Sequence, residues 1–314
     1  MAVSGYTWYF SWEVALIEWL QAHITGAALS VVSFLSVFGE EMFMILALGF
    51  LYWGWNKQLG KKVGLAVLTG CVWNPMIKCV VLRRRPYFDN EGIRILRVVQ
   101  PEADIYDIAA QGFSFPSGHS TNAVALFGSL ALRCRRRWLT VLAIVIPLLT
   151  GFSRVVTGAH YPTDVLAGWA LGAVVVFLIP VLENKIPNRA AFYALLLATA
   201  VPGMFYCRSE DYFTAFGLLA GFMAGTFLEE KYVNFENTGN LLRIILRIAG
   251  GVALYIVLNK VLKLPFSEEF LDSGSMGALL VRTARYMIIA VVAFGVYPML
   301  FRKDAKKVPE TELL

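Results

Sequence analysis

Residues 153–164 read SRVVTGAHYPTD and join two long apolar stretches, residues 138–156 and 163–182. Apolar stretches of about this length predict helices that cross the hydrocarbon core of a membrane. The segment between them nevertheless carries ionisable side chains, and such groups at membrane depth are candidates for a functional site. Asp164 follows His160 by four residues, which is one helical turn. The carboxylate is therefore expected to accept a hydrogen bond from one imidazole nitrogen and to orient the other.

A second polar segment ends the apolar stretch at residues 63–82. Lys78 and Arg85 are seven residues apart, two helical turns, so the two cations project from the same face. Pro86 then stops the helix. A lysine alone would be interpreted as snorkelling toward the membrane interface. With Arg85 at this spacing, Lys78 is better interpreted as part of a cationic site for a phosphate group.

A third segment, Pro116-Ser117-Gly118-His119, precedes a helix expected to begin near Ser120. Ser117 is suited to cap that helix, and Gly118 lets the backbone approach an anion closely. The N-terminus of a helix offers unpaired N–H groups and a dipole that favours phosphate. An imidazole titrates near neutrality, which makes His119 a candidate general acid for a leaving oxygen.

Arg154 and His160 complete the candidate site. Arg154 can clamp phosphate oxygens through two N–H groups. His160 is the candidate nucleophile, which would attack phosphorus and form a phosphohistidine. Because phosphoryl transfer depends mainly on positioning and electrostatic stabilisation, this set of cations and imidazoles suits it. The alternative is that His160 and Asp164 form a buried structural pair.

The composition indicates an integral membrane protein. Of 314 residues, 58% are hydrophobic and 16% are charged, against about 25% charged in soluble domains. The mean hydropathy is +0.62. We expect an all-α, polytopic bundle with nine or ten transmembrane helices, from apolar windows at about 25–39, 41–56, 63–82, 117–133, 138–156, 163–182, 191–206, 213–228, 244–262 and 283–300.

Three regions follow from these windows. Residues 1–24 are predicted to hold an interfacial amphipathic helix, because apolar residues recur at helical spacing with two glutamates between them. Residues 25–183 form a predicted six-helix catalytic unit, and residues 184–314 contain about four further helices and a basic tail. The acidic loop at 87–112 is either a solvated connection or a lid over the site.

The basic residues predict the orientation in the membrane. They cluster in short loops that the positive-inside rule assigns to the cytoplasm, namely 57–62, 134–137, 184–190 and the C-terminal tail. All three polar segments then lie on the opposite, extracytoplasmic face. The same clustering explains the net charge of +6 without a nucleic-acid partner. The arginine run at 83–85 opposes this rule, which indicates that at least one of its members serves another purpose.

The three polar segments together resemble a known family. Lys78-(six residues)-Arg85-Pro86, Pro116-Ser117-Gly118-His119 and Ser153-Arg154-(five residues)-His160-(three residues)-Asp164 are similar to the three motifs of the type 2 phosphatidic acid phosphatase (PAP2) superfamily. Less specific flanks resemble the branch related to sphingosine-1-phosphate phosphatases: Phe38-Gly39-Glu40-Glu41, Leu51-Tyr52-Trp53 and Trp73-Asn74.

The resemblance implies a six-helix core and dephosphorylation without a metal or cofactor. It implies His160 as nucleophile, His119 as acid and Asp164 as the support of His160. It assigns phosphate binding to five residues: Lys78, Arg85, Ser117, Gly118 and Arg154. The expected function is a phosphatase of the bacterial cytoplasmic membrane.

The expected partners are the bilayer and a lipid carrying a phosphate monoester or a pyrophosphate. Phosphatidic acid, lysophosphatidic acid, a sphingoid-base phosphate and undecaprenyl pyrophosphate are the candidates. One alternative keeps the site but transfers the phosphoryl group to another acceptor. A second makes the chain a transporter or scaffold whose intramembrane charges line a path or form structural pairs. A homo-oligomer is compatible with the sequence, but nothing in the sequence supports one.

Overall fold

The computed structural model describes residues 5–301. Within that range the chain is helical, and its β pairing is confined to one isolated bridge between Tyr6 and Arg83. The predicted all-α fold class is confirmed. The predicted basic tail lies outside the described residues.

The α-helices of residues 5–301 are, in chain order, α1 Ser11–His23, α2 Gly26–Phe34, α3 Glu41–Gly49, α4 Lys57–Val81, α5 Pro86–Asp89, α6 Ile108–Gln111, α7 Gly118–Cys134, α8 Arg137–Val156, α9 Pro162–Lys185, α10 Arg189–Ala200, α11 Gly203–Tyr206, α12 Glu210–Leu228, α13 Leu241–Val261, α14 Glu268–Leu271 and α15 Met276–Val291. Shorter 3₁₀ and π segments extend several of them: Leu35–Gly39, Phe50–Trp55, Glu229–Val233, Val292–Val296 and Tyr297–Leu300.

Seven helices in the described part of the chain are long and apolar enough to cross a membrane, or up to eight if one bent pair is counted as a span. The difference from the expected nine or ten has two causes. The windows at 25–39 and 41–56 are the two arms of that bent pair, and α7 has 17 residues. A polytopic membrane protein is therefore confirmed, with fewer full-length spans than the apolar windows predict.

The bent pair consists of Gly26–Gly39 and Glu41–Trp55, which meet at an angle of 52°. Glu40 lies at the break in an extended conformation, and its N–H donates to Val37 O at 3.0 Å. The carbonyl of Gly39 accepts a hydrogen bond from Asn122 Nδ2 at 3.2 Å. Backbone polar groups at membrane depth need such internal partners, because lipid offers none.

The chain divides into two compact units. The first contains residues 5–43 and 73–178, and it holds all three polar segments. Its apolar core includes Ile17 and Leu20 from α1, together with Tyr87, Val156 and Tyr161 near the polar segments. The amphipathic N-terminal helix is thus observed as α1, and its inward face packs into this core. Its predicted interfacial position stays a prediction, as do the predicted domain boundaries at 24 and 183.

The second unit contains residues 44–72 and 179–301. Within it, α12 packs against α15. An aromatic cluster forms around Tyr52, Trp53 and Phe235. Lys57 Nζ lies 3.0 Å from Glu229 Oε1, and the glutamate is fully buried. A buried carboxylate paired with a cation in this way avoids the cost of an uncompensated charge.

Candidate active site

Three hydrogen bonds hold the polar segments together in the first unit. Ser117 N donates to Asp164 O at 2.9 Å, and Lys78 Nζ donates to Phe113 O at 2.8 Å. Arg85 Nη1 donates to Ala159 O at 3.1 Å. The C-terminal end of α4, the N-terminus of α7 and the turn between α8 and α9 therefore meet at one place. The structure therefore brings together the three polar segments that were predicted from the sequence to form one site.

The N-terminus of α7 carries the second segment. Ser117 caps the helix by accepting a hydrogen bond from Ser120 N at 3.4 Å, as its position predicts. A Cβ built on Gly118 would meet only Asn74 Oδ1, at 3.6 Å, so there is space in front of the first helical turn. His119 is half-buried and interacts electrostatically with four groups: Lys78, Arg85, Arg154 and His160.

The turn that carries His160 depends on Gly158. This glycine has φ +71°, in the left-handed region, and an added Cβ would lie 2.4 Å from Arg94 O. The turn folds back so that His160 N donates to Arg154 O at 3.2 Å. His160 is 2% exposed. Backbone geometry, and not only side-chain contacts, therefore fixes the position of this imidazole.

Asp164 lies beside His160, and a third residue, Ser114, lies between the two side chains. Asp164 Oδ2 lies 3.6 Å from His160 Nδ1, which is longer than a hydrogen bond. Ser114 Oγ donates to Asp164 Oδ2 and lies 3.4 Å from His160 Nδ1. Tyr161 N also donates to Asp164 Oδ2, at 2.8 Å. The expected direct contact is therefore replaced by a relay from the imidazole through a hydroxyl to the carboxylate.

Arg154 and Arg85 differ in their hydrogen-bond partners. Arg154 is 2% exposed, and its Nε has no hydrogen-bond partner within residues 5–301. Buried polar groups are normally paired, so an unpaired buried guanidinium N–H calls for a ligand or water. Arg85, in contrast, donates to the backbone carbonyls of Gln111, Gly112 and Ala159. It thereby holds the walls of the site together, and a phosphate-binding role for it stays a prediction.

The electrostatic environment keeps His160 neutral. Burial lowers the pKa of His160 well below its usual value, and the Arg85 guanidinium lowers it further. The proton is therefore gained only when the pH falls well below the range in which a free histidine titrates. A neutral imidazole has the lone pair that a nucleophile requires.

The sequence did not identify four residues that shape the site. Gly39 lies so close to His119 that an added Cβ would be 2.6 Å from His119 Cβ. Asn74 Nδ2 donates to Thr121 Oγ1 at 3.0 Å and to Pro116 O at 3.4 Å. Gly39 and Asn74 both belong to the flanking segments quoted above, so the sequence pointed to these two residues but did not indicate what they do. Ser114 gave none, and Arg83 gave only its place in an arginine run that opposes the positive-inside rule.

The loop at 87–112 reaches the same region. Arg97 in this loop forms an ion pair with Glu40 and donates to Ser33 O at 2.7 Å. Both members of this pair interact electrostatically with Arg154. Gln21 fixes another part of the loop, because its side chain exchanges hydrogen bonds with the backbone of Arg94 at 2.8 and 3.0 Å. The loop is therefore tied to the first unit, and a lid function stays a prediction.

Two family models match parts of this chain. Residues 59–187 match the model of the PAP2 superfamily, and residues 213–305 match that of the PAP2 superfamily phosphatase, transmembrane extension. An undecaprenyl-diphosphatase of Sulfolobus acidocaldarius is 30% identical over 161 residues, which cover 50% of this chain and 71% of that protein. No solved structure matches the chain.

Two further relatives come from bacteria. An undecaprenyl-diphosphatase of Bacillus subtilis is 29% identical over 160 residues, 50% of this chain and 76% of that protein. A lipid A 1-phosphatase of Rhizobium johnstonii is 52% identical over 60 residues, 19% of this chain and 24% of that protein. With the family matches, these similarities establish that the chain belongs to the PAP2 superfamily and is a phosphoric ester hydrolase.

Proposed function

We propose that this protein removes a terminal phosphate from a membrane lipid through a phosphohistidine on His160, without a metal. The observation that carries the proposal is the buried Arg154. Its Nε lacks a partner in the described part of the chain, and its charge acts on a neutral His160. A fixed, unpaired cation beside a neutral imidazole is the arrangement that an anionic phosphoryl group would complete.

The first step would form the covalent intermediate. The Nε2 lone pair of His160 attacks phosphorus while the relay through Ser114 holds the proton on Nδ1. The bond between phosphorus and the lipid oxygen breaks, and His119, which takes up a proton when the anionic phosphate binds beside it, gives that proton to the lipid oxygen. Arg154 and the N–H groups at the start of α7 would stabilise the equatorial oxygens.

The second step would release inorganic phosphate. Water attacks the phosphohistidine, and the now neutral His119 accepts a proton from that water. The P–N bond breaks, its electron pair returns to His160 Nε2, and both histidines regain their starting states.

Between Gly5 and Phe301, no group of three or more His, Cys, Asp or Glu side chains is arranged to hold a metal ion. A metal-free reaction is part of the proposal.

A polyprenyl diphosphate is the substrate we propose to test first. The relatives from Sulfolobus and Bacillus, which this chain covers over most of their length, are named undecaprenyl-diphosphatases. Attack at the terminal phosphorus would give the lipid monophosphate and inorganic phosphate. Monoesters such as phosphatidic acid, lysophosphatidic acid and a sphingoid-base phosphate remain candidates. We further propose that the site faces the extracytoplasmic side, as the basic loops predict.

A phosphate-release panel tests this function. Purified protein in detergent, with EDTA present, is expected to release inorganic phosphate from undecaprenyl diphosphate faster than from the three monoesters. Undiminished turnover in EDTA would support the metal-free reaction, and its loss with recovery on adding a divalent ion would overturn it. Label that appears on an added lipid or sugar acceptor, in place of free phosphate, would indicate a phosphotransferase.

Ser114→Ala tests the relay to Asp164. Removing the hydroxyl leaves Asp164 Oδ2 and His160 Nδ1 at 3.6 Å with no bridge, so the imidazole loses its fixed tautomer. We expect kcat to fall by about ten- to a hundred-fold, as for other partners that orient a reacting group, with little change in KM. Steady-state kinetics on the best substrate measures both values. A parallel rise in KM would instead place Ser114 in substrate binding.

A further inference from the structure

We propose that the N-terminal helix α1 is a working part of the active site, because its Glu13 and the non-motif Arg83 position the carboxylate of Asp164. This inference rests on the proposed function of His160 and Asp164. It assigns a role to residues that lie outside the three motifs and, for Glu13, outside the region that matches the PAP2 model, which begins at residue 59.

Glu13, Arg83 and Asp164 form a buried network of three charges. Arg83 Nη1 donates to Asp164 Oδ1 at 2.6 Å, and Arg83 Nη2 donates to Glu13 Oε2 at 2.8 Å. All three side chains are fully buried. A guanidinium shared between two carboxylates in this way has its orientation fixed from both sides.

Thr163 forms hydrogen bonds with two members of this network, Glu13 and Arg83. Its hydroxyl donates to Glu13 Oε1 at 2.6 Å and accepts from Arg83 Nη1 at 2.7 Å. Its backbone N–H also donates to Glu13 Oε1, at 3.0 Å. Glu13 therefore binds directly to the first turn of α9, the turn that carries Asp164.

Two aromatic rings contact the guanidinium of Arg83. Arg83 Cζ lies 3.9 Å from the ring centroid of Trp8 and 4.0 Å from that of Tyr161. Arg83 Nε also donates to Trp8 O at 2.9 Å. These two cation–π contacts restrict the orientation of the arginine side chain. Because Tyr161 follows His160 directly, the segment that carries His160 also contacts Arg83.

This arrangement fixes which oxygen of Asp164 serves His160. Arg83 occupies Oδ1, whereas Ser114 and Tyr161 N occupy Oδ2, the oxygen nearest His160. Without the Arg83 contact the carboxylate could rotate and exchange its two oxygens. Glu13 acts one step farther away, since it neutralises Arg83 and keeps it from pairing with Asp164 alone. Glu13 and Arg83 are thus positioning residues, and neither is assigned a contact with substrate.

The test is Glu13→Gln, which keeps the shape of the side chain and removes its charge. We expect kcat to fall by about ten- to a hundred-fold while KM stays close to that of the unaltered protein, because the phosphate-binding groups are untouched. Arg83→Lys, which cannot span both carboxylates with its single ammonium, is expected to lower kcat in the same way. Rates are expressed per folded enzyme, determined from size-exclusion chromatography and thermal unfolding in detergent.

Two matched controls lie on the same helix. Ile17→Ala removes a fully buried side chain one turn from Glu13, and it should lower Tm while the kcat of the folded enzyme stays unchanged. Glu18→Gln removes an exposed charge and should change neither value. A kcat for Glu13→Gln at the level of the unaltered protein would overturn the inference, as would an equal loss of kcat in Ile17→Ala.

A further variant distinguishes a failure of this inference from a failure of the proposed function. His160→Ala is assayed beside these variants. If that variant retains full phosphate release, the proposed function fails, whatever Glu13 does. If it is inactive while Glu13→Gln and Arg83→Lys keep full kcat, only the inference about α1 fails.

Discussion

Replacing His160 with alanine is expected to lower phosphate release by about 10⁴-fold or more, since the proposed nucleophile is removed and only binding and electrostatic effects remain. KM should change little, because the cations proposed to bind the phosphate stay in place. The covalent step also predicts a direct signature. Radiolabelled substrate, quenched early, should leave acid-labile, base-stable label on the unaltered protein and none on His160→Ala.

The chain provides a matched control in His23. It is exposed, lies at the end of α1 and contacts the carbonyl of Trp19 through Nδ1 at 2.8 Å. His23→Ala should retain both turnover and labelling. Substantial phosphate release by a folded His160→Ala variant would remove His160 from the mechanism, and label on that variant would place the intermediate elsewhere.

Arg154→Ala is expected to lower kcat/KM by about 10²- to 10³-fold, the loss typical of removing a preorganised donor to a developing anion. Arg154 is buried at the C-terminal end of α8 with an unpaired Nε, so no hydrogen bond from this Nε is lost with the side chain. Arg154→Lys should recover only part of the activity, because an ammonium keeps the charge but cannot form the two parallel hydrogen bonds of a guanidinium.

Arg137 is the corresponding control at the other end of α8, where it is exposed. Arg137→Ala should retain the activity of the unaltered protein. If Arg154→Ala kept full kcat/KM, the unpaired guanidinium would have no part in phosphate binding. In that case Lys78 and the α7 N-terminus would have to provide the electrostatic stabilisation.

The sequence was sufficient to predict the all-helical membrane fold and the residues that the structure groups together. Those predictions depended on local information: apolar length and the turn at Gly118. Each feature involves residues close in the chain, so periodicity and turn chemistry reveal it. The predicted helical spacing of Lys78 and Arg85 was wrong, because α4 ends at Val81 and Arg85 lies in an extended segment just before α5, a helix that Pro86 begins and does not stop. The break at Glu40 was missed because two adjacent apolar windows carry no sign of the angle between them.

The remaining features are pairings between distant parts of the chain. Nothing near Glu13 in the sequence indicates that its carboxylate faces Arg83, seventy residues later. Likewise, Ser114 reaches Asp164 across fifty residues. Glutamate in a surface helix is ordinarily solvated, so the pattern in residues 11–24 favoured an exposed position for Glu13. The structure places this carboxylate in the interior, where the Arg83 charge compensates its burial.

The bent helix pair, Gly26–Gly39 and Glu41–Trp55, has a consequence for handling the protein outside a bilayer. Each arm, at 14 and 15 residues, is shorter than the roughly 20 residues that a helix needs to cross the hydrocarbon core. At the bend between the two arms, Asn122 Nδ2 donates a hydrogen bond to Gly39 O, and Gly39 packs closely against His119. A harsh detergent that loosened this bend would displace His119, the proposed general acid, while the longer transmembrane helices stayed helical. The helical content measured by circular dichroism would then be unchanged although phosphate release had been lost. Detergents for extraction should therefore be chosen by phosphatase assay and not by helical content.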